Sequence, residues 1–196
     1  MPLWGTSDSD ESKPKNLTTA EKKEVYATNS GWVREAGSIL SGNGNTDADP
    51  EVLVAVSGLA DSIGAADVTE VEWITTTADK SEGFTLSVRV RYNEEVTVTG
   101  SPTIAVTNGN QGSGSGRGPH TLVYASGTGT NELIFNLAIA ANNNATNAND
   151  VLSIGAQNIL KPGGATLKDT ADGTTDAAVA ISGAQGTAAG TLTVTA

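Results

Sequence analysis

The chain has no cysteine, a single histidine, and few aromatic residues: three Trp, three Tyr and two Phe in 196 positions. Without cysteine there is no disulfide framework, no thiolate metal site and no cysteine nucleophile. One imidazole leaves a His-based metal site without its second nitrogen ligand. No apolar run approaches the roughly 18 residues of a membrane-spanning helix. The N-terminus, MPLWGTSDSDESKPK, lacks a basic stretch followed by an apolar one, so no secretory signal peptide is expected there. Basic residues are scarce, 11 Lys and Arg against 22 Asp and Glu, for a net charge of −11. A chain of that charge repels phosphate, so neither nucleic acid nor a membrane is expected as partner.

What is abundant is glycine (23 residues), with threonine, asparagine and serine prominent beside it. Glycine and asparagine tolerate the positive φ of tight turns and threonine favours strands, so this composition suits short strands joined closely. The clearest pattern is Phe84–Tyr92 (FTLSVRVRY). Phe84, Leu86, Val88, Val90 and Tyr92 fall on one face and Thr85, Ser87, Arg89 and Arg91 on the other. Period two with one apolar face predicts a strand half on a core and half in water. Further strands are predicted at 51–59, 69–77, 96–99, 103–107, 121–125, 132–140, 151–154, 177–182 and 191–195, with Gly-, Asn- and Pro-rich turns between them. Short strands so punctuated predict an all-β sandwich or barrel.

Residues 1–50 differ. They are polar, with 8 of the 22 acids and 5 of the 11 bases, and their apolar residues are sparse. Thr18 followed by Glu21 satisfies a capping box for one helical turn. The expected division is an extended, weakly structured N-terminal arm over 1–50 and a β domain over 51–196. Large aromatics in a thin segment suit anchoring, since each buries roughly 150–250 Å². Leu3, Trp4, Tyr26, Trp32 and Val33 are therefore the expected partner-binding residues.

Candidate chemistry is sparse. His120 opens a strand and has no defined nucleophile or acid beside it in sequence. Glu70 and Glu72 share a strand face, and Glu94 and Glu95 are adjacent at an expected turn. A glycosidase pair also needs an aromatic-lined cleft, which the β domain does not provide. Asp169, Asp172 and Asp176, and Asn147, Asn149 and Asp150, lie in turns that can offer oxygen to Ca²⁺, but their spacing is not that of an EF-hand and Asx-turns explain them as well. Gly112–Gly118 has neither lysine nor a following helix, so it is no phosphate loop; the stretch Asn108–Gly118 reads as a hairpin tip. No catalytic residue, cofactor or metal is expected.

Two resemblances add to this. Residues Tyr92–Gly100, Ser101–Gly109, Tyr124–Ala140, Val151–Ile159 and Asp169–Gly173 occur in an order that resembles the Ig-like β-sandwich repeats of bacterial surface proteins and adhesins. This covers about half the chain, and implies an Ig-like β-sandwich that serves as a binding or structural module. In the arm, Leu3, Trp4 and Gly5, Lys13, Pro14 and Lys15, and Gly31, Trp32 and Val33 are similar to the start of virion structural proteins of tailed phages that infect marine cyanobacteria. Together they imply a non-enzymatic virion protein, a capsid decoration (cement) protein, with the major capsid protein or another virion protein as partner and self-association as a further option. A tail, neck or fibre component, or a bacterial adhesin or carbohydrate-binding module, is the alternative.

Overall fold

Strand β6 (Gly83–Thr99) organises the molecule, and it is longer than the sequence pattern predicts. In this computed structural model, which describes residues 13–14, 16–42, 44–110 and 117–196, the two expected strands at 84–92 and 96–99 are one, and Glu94 and Glu95 lie within it rather than at a turn. Its inner residues Leu86, Val88, Val90, Tyr92 and Val96 are all buried, as the alternation requires. The chain is all-β in class.

Before β6 come α1 (Thr19–Lys23), β1 (Val25–Thr28), β2 (Gly31–Arg34), β3 (Glu51–Ala55), α2 (Leu59–Ser62), β4 (Val68–Trp73) and β5 (Ala78–Asp79). After it come β7 (Thr103–Asn108), β8 (His120–Ser126), β9 (Thr130–Ala140), β10 (Val151–Ser153), β11 (Gln157–Asn158), β12 (Thr166–Asp169), β13 (Ala180–Ile181), α3 (Gly183–Ala189) and β14 (Thr191–Thr195). Neighbouring strands follow the order β3-β2-β1-β6-β9-β8-β7-β10-β14-β5, with β4 and β12 also paired to β6 and a separate β11–β13 ladder. Leu192 and Val194 of β14 share one buried cluster with Leu86 and Val88 of β6 although four strands separate them along this path. A sheet presents one face to one side, so these strands must bend back over each other to enclose a common core. Phe135, Leu133, Leu122, Ile104 and Leu152 fill it. Gln157 completes an edge: its side-chain amide both accepts from Ala105 N–H and donates to Ala105 C=O, each at 2.7 Å, on the side of β7 away from β8.

The largest departure from the sequence reading lies in residues 17–63. These form a small folded unit rather than an extended arm. β1 pairs with β2 from Val25↔Arg34 to Thr28↔Gly31, and β2 pairs with β3. Their inner side, with Val25, Ala27 and Trp32, packs with Leu59 and Ile63 of the α2 turn into a second, smaller core. The division expected at Pro50 therefore falls inside this sheet, because β3 is its outer strand. Gly31 does not merely stop the helix. Its φ is +128°, and a Cβ there would lie 2.0 Å from the carbonyl oxygen of Val54, so only glycine lets β3 approach. The predicted capping box is present: Glu21 N–H donates to Thr18 Oγ1 at 3.2 Å and Thr18 N–H donates to the Glu21 carboxylate at 2.8 Å.

The two parts meet at a break in β6. Arg91 stands opposite Glu132 and Val96 opposite Thr130, so Tyr92, Asn93, Glu94 and Glu95 face Asn131 alone. Four residues against one form a wide bulge, which re-aims the strand. Along its other edge β6 meets β4 up to Tyr92, β1 at Glu94 through a parallel bridge to Ala27, and β12 from Val96. The N-terminal sheet thus joins β6 between β4 and β12.

Candidate interaction surfaces

Of the five residues expected to anchor a partner, Leu3 and Trp4 lie outside the described residues. The other three are corrected: Tyr26, Trp32 and Val33 are 5%, 0% and 2% exposed and spent on the chain's own fold. A strand buried on both faces has no alternation to reveal it, which is why VYAT and GWVR read as an arm. The N-terminal unit exposes other apolar side chains instead. Ile39 (82%) and Leu40 (45%) sit on the 3-10 turn Ile39–Ser41 within the β2–β3 connection, and Val52 (51%) on β3. Among the described residues β3 has β2 as its one ladder partner, so its outer edge is open. Leu53 is a bulged residue there, with Trp32 opposite Val54 and Val33 opposite Val52.

Between the two parts lies a chain of ion pairs. Arg91, expected to face water, points outward from the sheet yet its side chain is 6% exposed. Glu132 of β9 meets its Nη2 at 2.7 Å, Glu35 just past β2 meets its Nη1 at 3.1 Å, and Glu72 of β4 meets its Nε at 3.3 Å. Arg89 shares Glu72 at 2.9 Å and Glu132 at 3.4 Å. Arg34 joins Glu21 at 3.2 Å and Glu51 at 3.5 Å, and Lys23 of α1 pairs with Glu70 of β4. Burial and the neighbouring Glu132 push Glu35 up to about 7 against the pull of Arg91. Glu70 and Glu72, considered above as an acid pair, are thus engaged by cations.

Two hollows border this seam. A groove of about 500 Å³ runs between α1 and the β4–α3 side, lined by Lys13, Lys22, Lys23, Glu70, Gln185 and Ala188. Its cations are committed in part: Lys13 Nζ donates to Lys22 C=O at 2.7 Å, and burial lowers Lys13 to about 8. A smaller cavity of about 220 Å³ at the β6 bulge is lined by Asn29, Glu94, Glu95, Asp169 and Thr170. Burial raises both Glu95 and Asp169 above the ordinary carboxylate range. That volume falls below the roughly 300 Å³ at which small-molecule pockets begin.

The polar turns are internally satisfied. Asp172 accepts from the N–H groups of Thr174 and Thr175, both at 2.8 Å, and from the Thr175 hydroxyl; Asp176 pairs with Lys168 at 2.9 Å; Asp169 accepts from Ala171 N–H at 2.8 Å. The contacts of Asp169 and Asp172 are those of Asx-turns, and among the described residues no three His, Asp or Glu side chains are placed to hold a metal ion. Asp150 is fully buried and accepts from Asn108 Nδ2 at 2.9 Å, Asn110 Nδ2 at 2.7 Å and Asn147 N–H at 2.8 Å. Burial alone raises its pKa, but these donors outweigh it and hold the carboxyl below the ordinary range. His120 Nε2 lies 3.5 Å from Asn108 Nδ2 in the same buried cluster, where burial lowers its pKa against the pull of Asp150. Its surroundings are those of a neutral core histidine. Most of Asn108–Gly118, the expected hairpin tip, lies outside the described residues. No family model, no curated protein and no solved structure matches the chain.

Proposed function

We propose that the chain is a non-enzymatic structural component of a tailed-phage virion, a decoration protein on the outer capsid whose β domain is Ig-like. Its partner is the major capsid protein or a neighbouring virion protein. The observation that carries this reading is the split in how apolar residues are used. Tyr26, Trp32 and Val33 lock the N-terminal sheet, while Ile39, Leu40 and Val52 on the same small unit face solvent. A compact strand-rich body with apolar side chains raised on an open-edged strand and on the turn leading to it suits docking to a shell. The opening residues, by their resemblance to virion proteins, supply the link to virions, and the repeat-like segments supply the link to Ig-like modules. Ion-paired Glu70 and Glu72, a buried His120 and an acidic hollow of only about 220 Å³ suit a scaffold better than a catalyst. Contacts repeated over a symmetric lattice need only modest affinity each.

The test uses capsids of the encoding phage stripped of this protein. The full chain, a variant lacking residues 1–12, and Ile39→Asp/Leu40→Asp/Val52→Asp are each sedimented with them. The triple variant is expected to lose at least tenfold in apparent affinity. Failure of the unaltered chain to bind, or its absence from purified particles by mass spectrometry, overturns the reading.

A further inference from the structure

The face that exposes Ile39, Leu40 and Val52 has no base near it in sequence: none lies between Glu35 and Asp79. The open edge of β3 runs beside these side chains, with no further strand along it among the described residues. Sheet edges are commonly guarded by Lys, by Pro or by a bulge. β3 (EVLVA) contains neither Lys nor Pro, and its bulge at Leu53 keeps any added pairing short.

At the start of β3 lies a hollow of about 190 Å³, lined by Glu35, Gly37, Ser41, Asp49 and Glu51. Small-molecule pockets begin at roughly 300 Å³, so this one admits a side chain rather than a ligand of its own. Its charge is negative. Arg34, Arg89 and Arg91 are shared among the carboxylates of Glu21, Glu35, Glu51, Glu72 and Glu132. Asp49 adds another, which no cation pairs with among the described residues. An open strand edge, exposed apolar side chains and an acidic hollow thus adjoin on one small unit.

We propose that the edge of β3 is a strand-docking site: an extended segment of the partner adds to it as a further strand, lays apolar side chains against Ile39, Leu40 and Val52, and sets one Lys or Arg in the acidic hollow. This rests on the docking face proposed above and names the chemistry of the segment that takes it. Main-chain hydrogen bonds supply the affinity of such an added strand, and its side chains supply the selection. The occupant is not the same strand of a second copy. Residues 35–79 have no base to offer the hollow, and a second β3 would bring its own Asp49 and Glu51 against it. Like charges set across a contact are strongly disfavoured.

Two probes keep this apart from the virion reading. The first is a synthetic peptide, acetyl-SKVTVTS-amide, titrated into the full chain and followed by NMR, with a control peptide that has Glu in place of Lys. Amide shifts at Asp49 and over residues 51–55 are expected, with a dissociation constant of about 1 mM. Binding is expected to be about tenfold weaker for the Glu peptide, and about fivefold weaker for the Lys peptide with Asp49→Lys. No shift at β3 with the Lys peptide at about 5 mM, or equal binding of the two peptides, overturns the proposal. The second probe is the stripped capsid. Amide exchange over residues 52–55 is expected to slow at least about tenfold on binding. A chain that binds capsids while these amides exchange as in the free protein overturns strand docking and leaves the decoration reading standing. A chain that binds the Lys peptide as stated but not capsids supports strand docking and overturns the decoration reading alone.

Discussion

The two halves of this molecule solve the same problem with very different means. The larger one, from β4 onward, buries 22 apolar residues in one cluster. The N-terminal unit gathers five in a cluster of its own, Val25, Ala27, Trp32, Leu59 and Ile63. Apolar burial stabilises by roughly 25 cal/mol per Å², while each ordered residue costs about 1–2 kcal/mol of backbone entropy. A three-stranded sheet with so small a core does not stand alone. Its stability is borrowed through the β6 bulge, the carboxylates of β4 and the cations of β6. The small unit is thus an attachment whose strength depends on its seam, whereas the large one is self-sufficient.

Truncating the centre of each core separates them most sharply. Trp32 and Phe135 are both fully buried, and replacement of either by alanine is expected to cost about 3–5 kcal/mol. Phe135→Ala is expected to lower the urea midpoint of the whole protein. Trp32→Ala is expected to leave that midpoint nearly intact while limited proteolysis opens residues 17–63 and spares the rest. A single transition shifted equally by both variants breaks the distinction between the two parts.

The seam is tested by Arg91. Removing one member of a buried ion cluster strands the others, so Arg91→Leu is expected to cost about 3–5 kcal/mol. Adding Glu35→Gln and Glu132→Gln removes most of the stranded charge and should restore at least half of that loss in urea unfolding. If the triple variant is no more stable than Arg91→Leu, packing rather than charge governs this contact.

How much of this was legible follows from which faces each strand shows. β6 has one wet and one dry face over Phe84–Val90, so its alternation announced it. β7, β8, β9 and β14 were read within a residue or two for the same reason. β1 and β2 are covered on both sides, by the small core within and by the larger part without, and carry no period. β12 (TLKD) is four residues long and lay between two turn signals that the composition did mark. Arg89 and Arg91 were placed on the correct face. That this face is covered depends on residues about sixty positions earlier folding over it, which no local pattern records. The same omission misplaced the anchor: aromatics that looked idle in an arm were the core of a unit not recognised as folded.

Asp150 sharpens the comparison from the other side, since it ties down the loop after β9 far from the seam. Its three donors favour the ionised form over the unfolded chain's carboxyl, which titrates at 3.8. Its contribution is therefore full above 3.8 and is lost as pH falls below it. Asp150→Asn is expected to cost about 1–3 kcal/mol at pH 6, and to flatten the decline in urea midpoint between pH 5 and 3. This acid sensitivity belongs to the large part.

The smallest effect expected is at the helix that leads into the small unit. Thr18 caps α1, and its loss leaves the N–H of Glu21 without that acceptor. Thr18→Ala is expected to cost about 1 kcal/mol. The cost should appear as faster amide exchange in Thr19–Lys23 and in β1, because Lys23 carries the helix's link to Glu70 across the seam. Exchange in β9 should not change. Were β9 to loosen in step with α1, the two parts would share one cooperative unit, and the dependence of the small unit on the large one would run both ways.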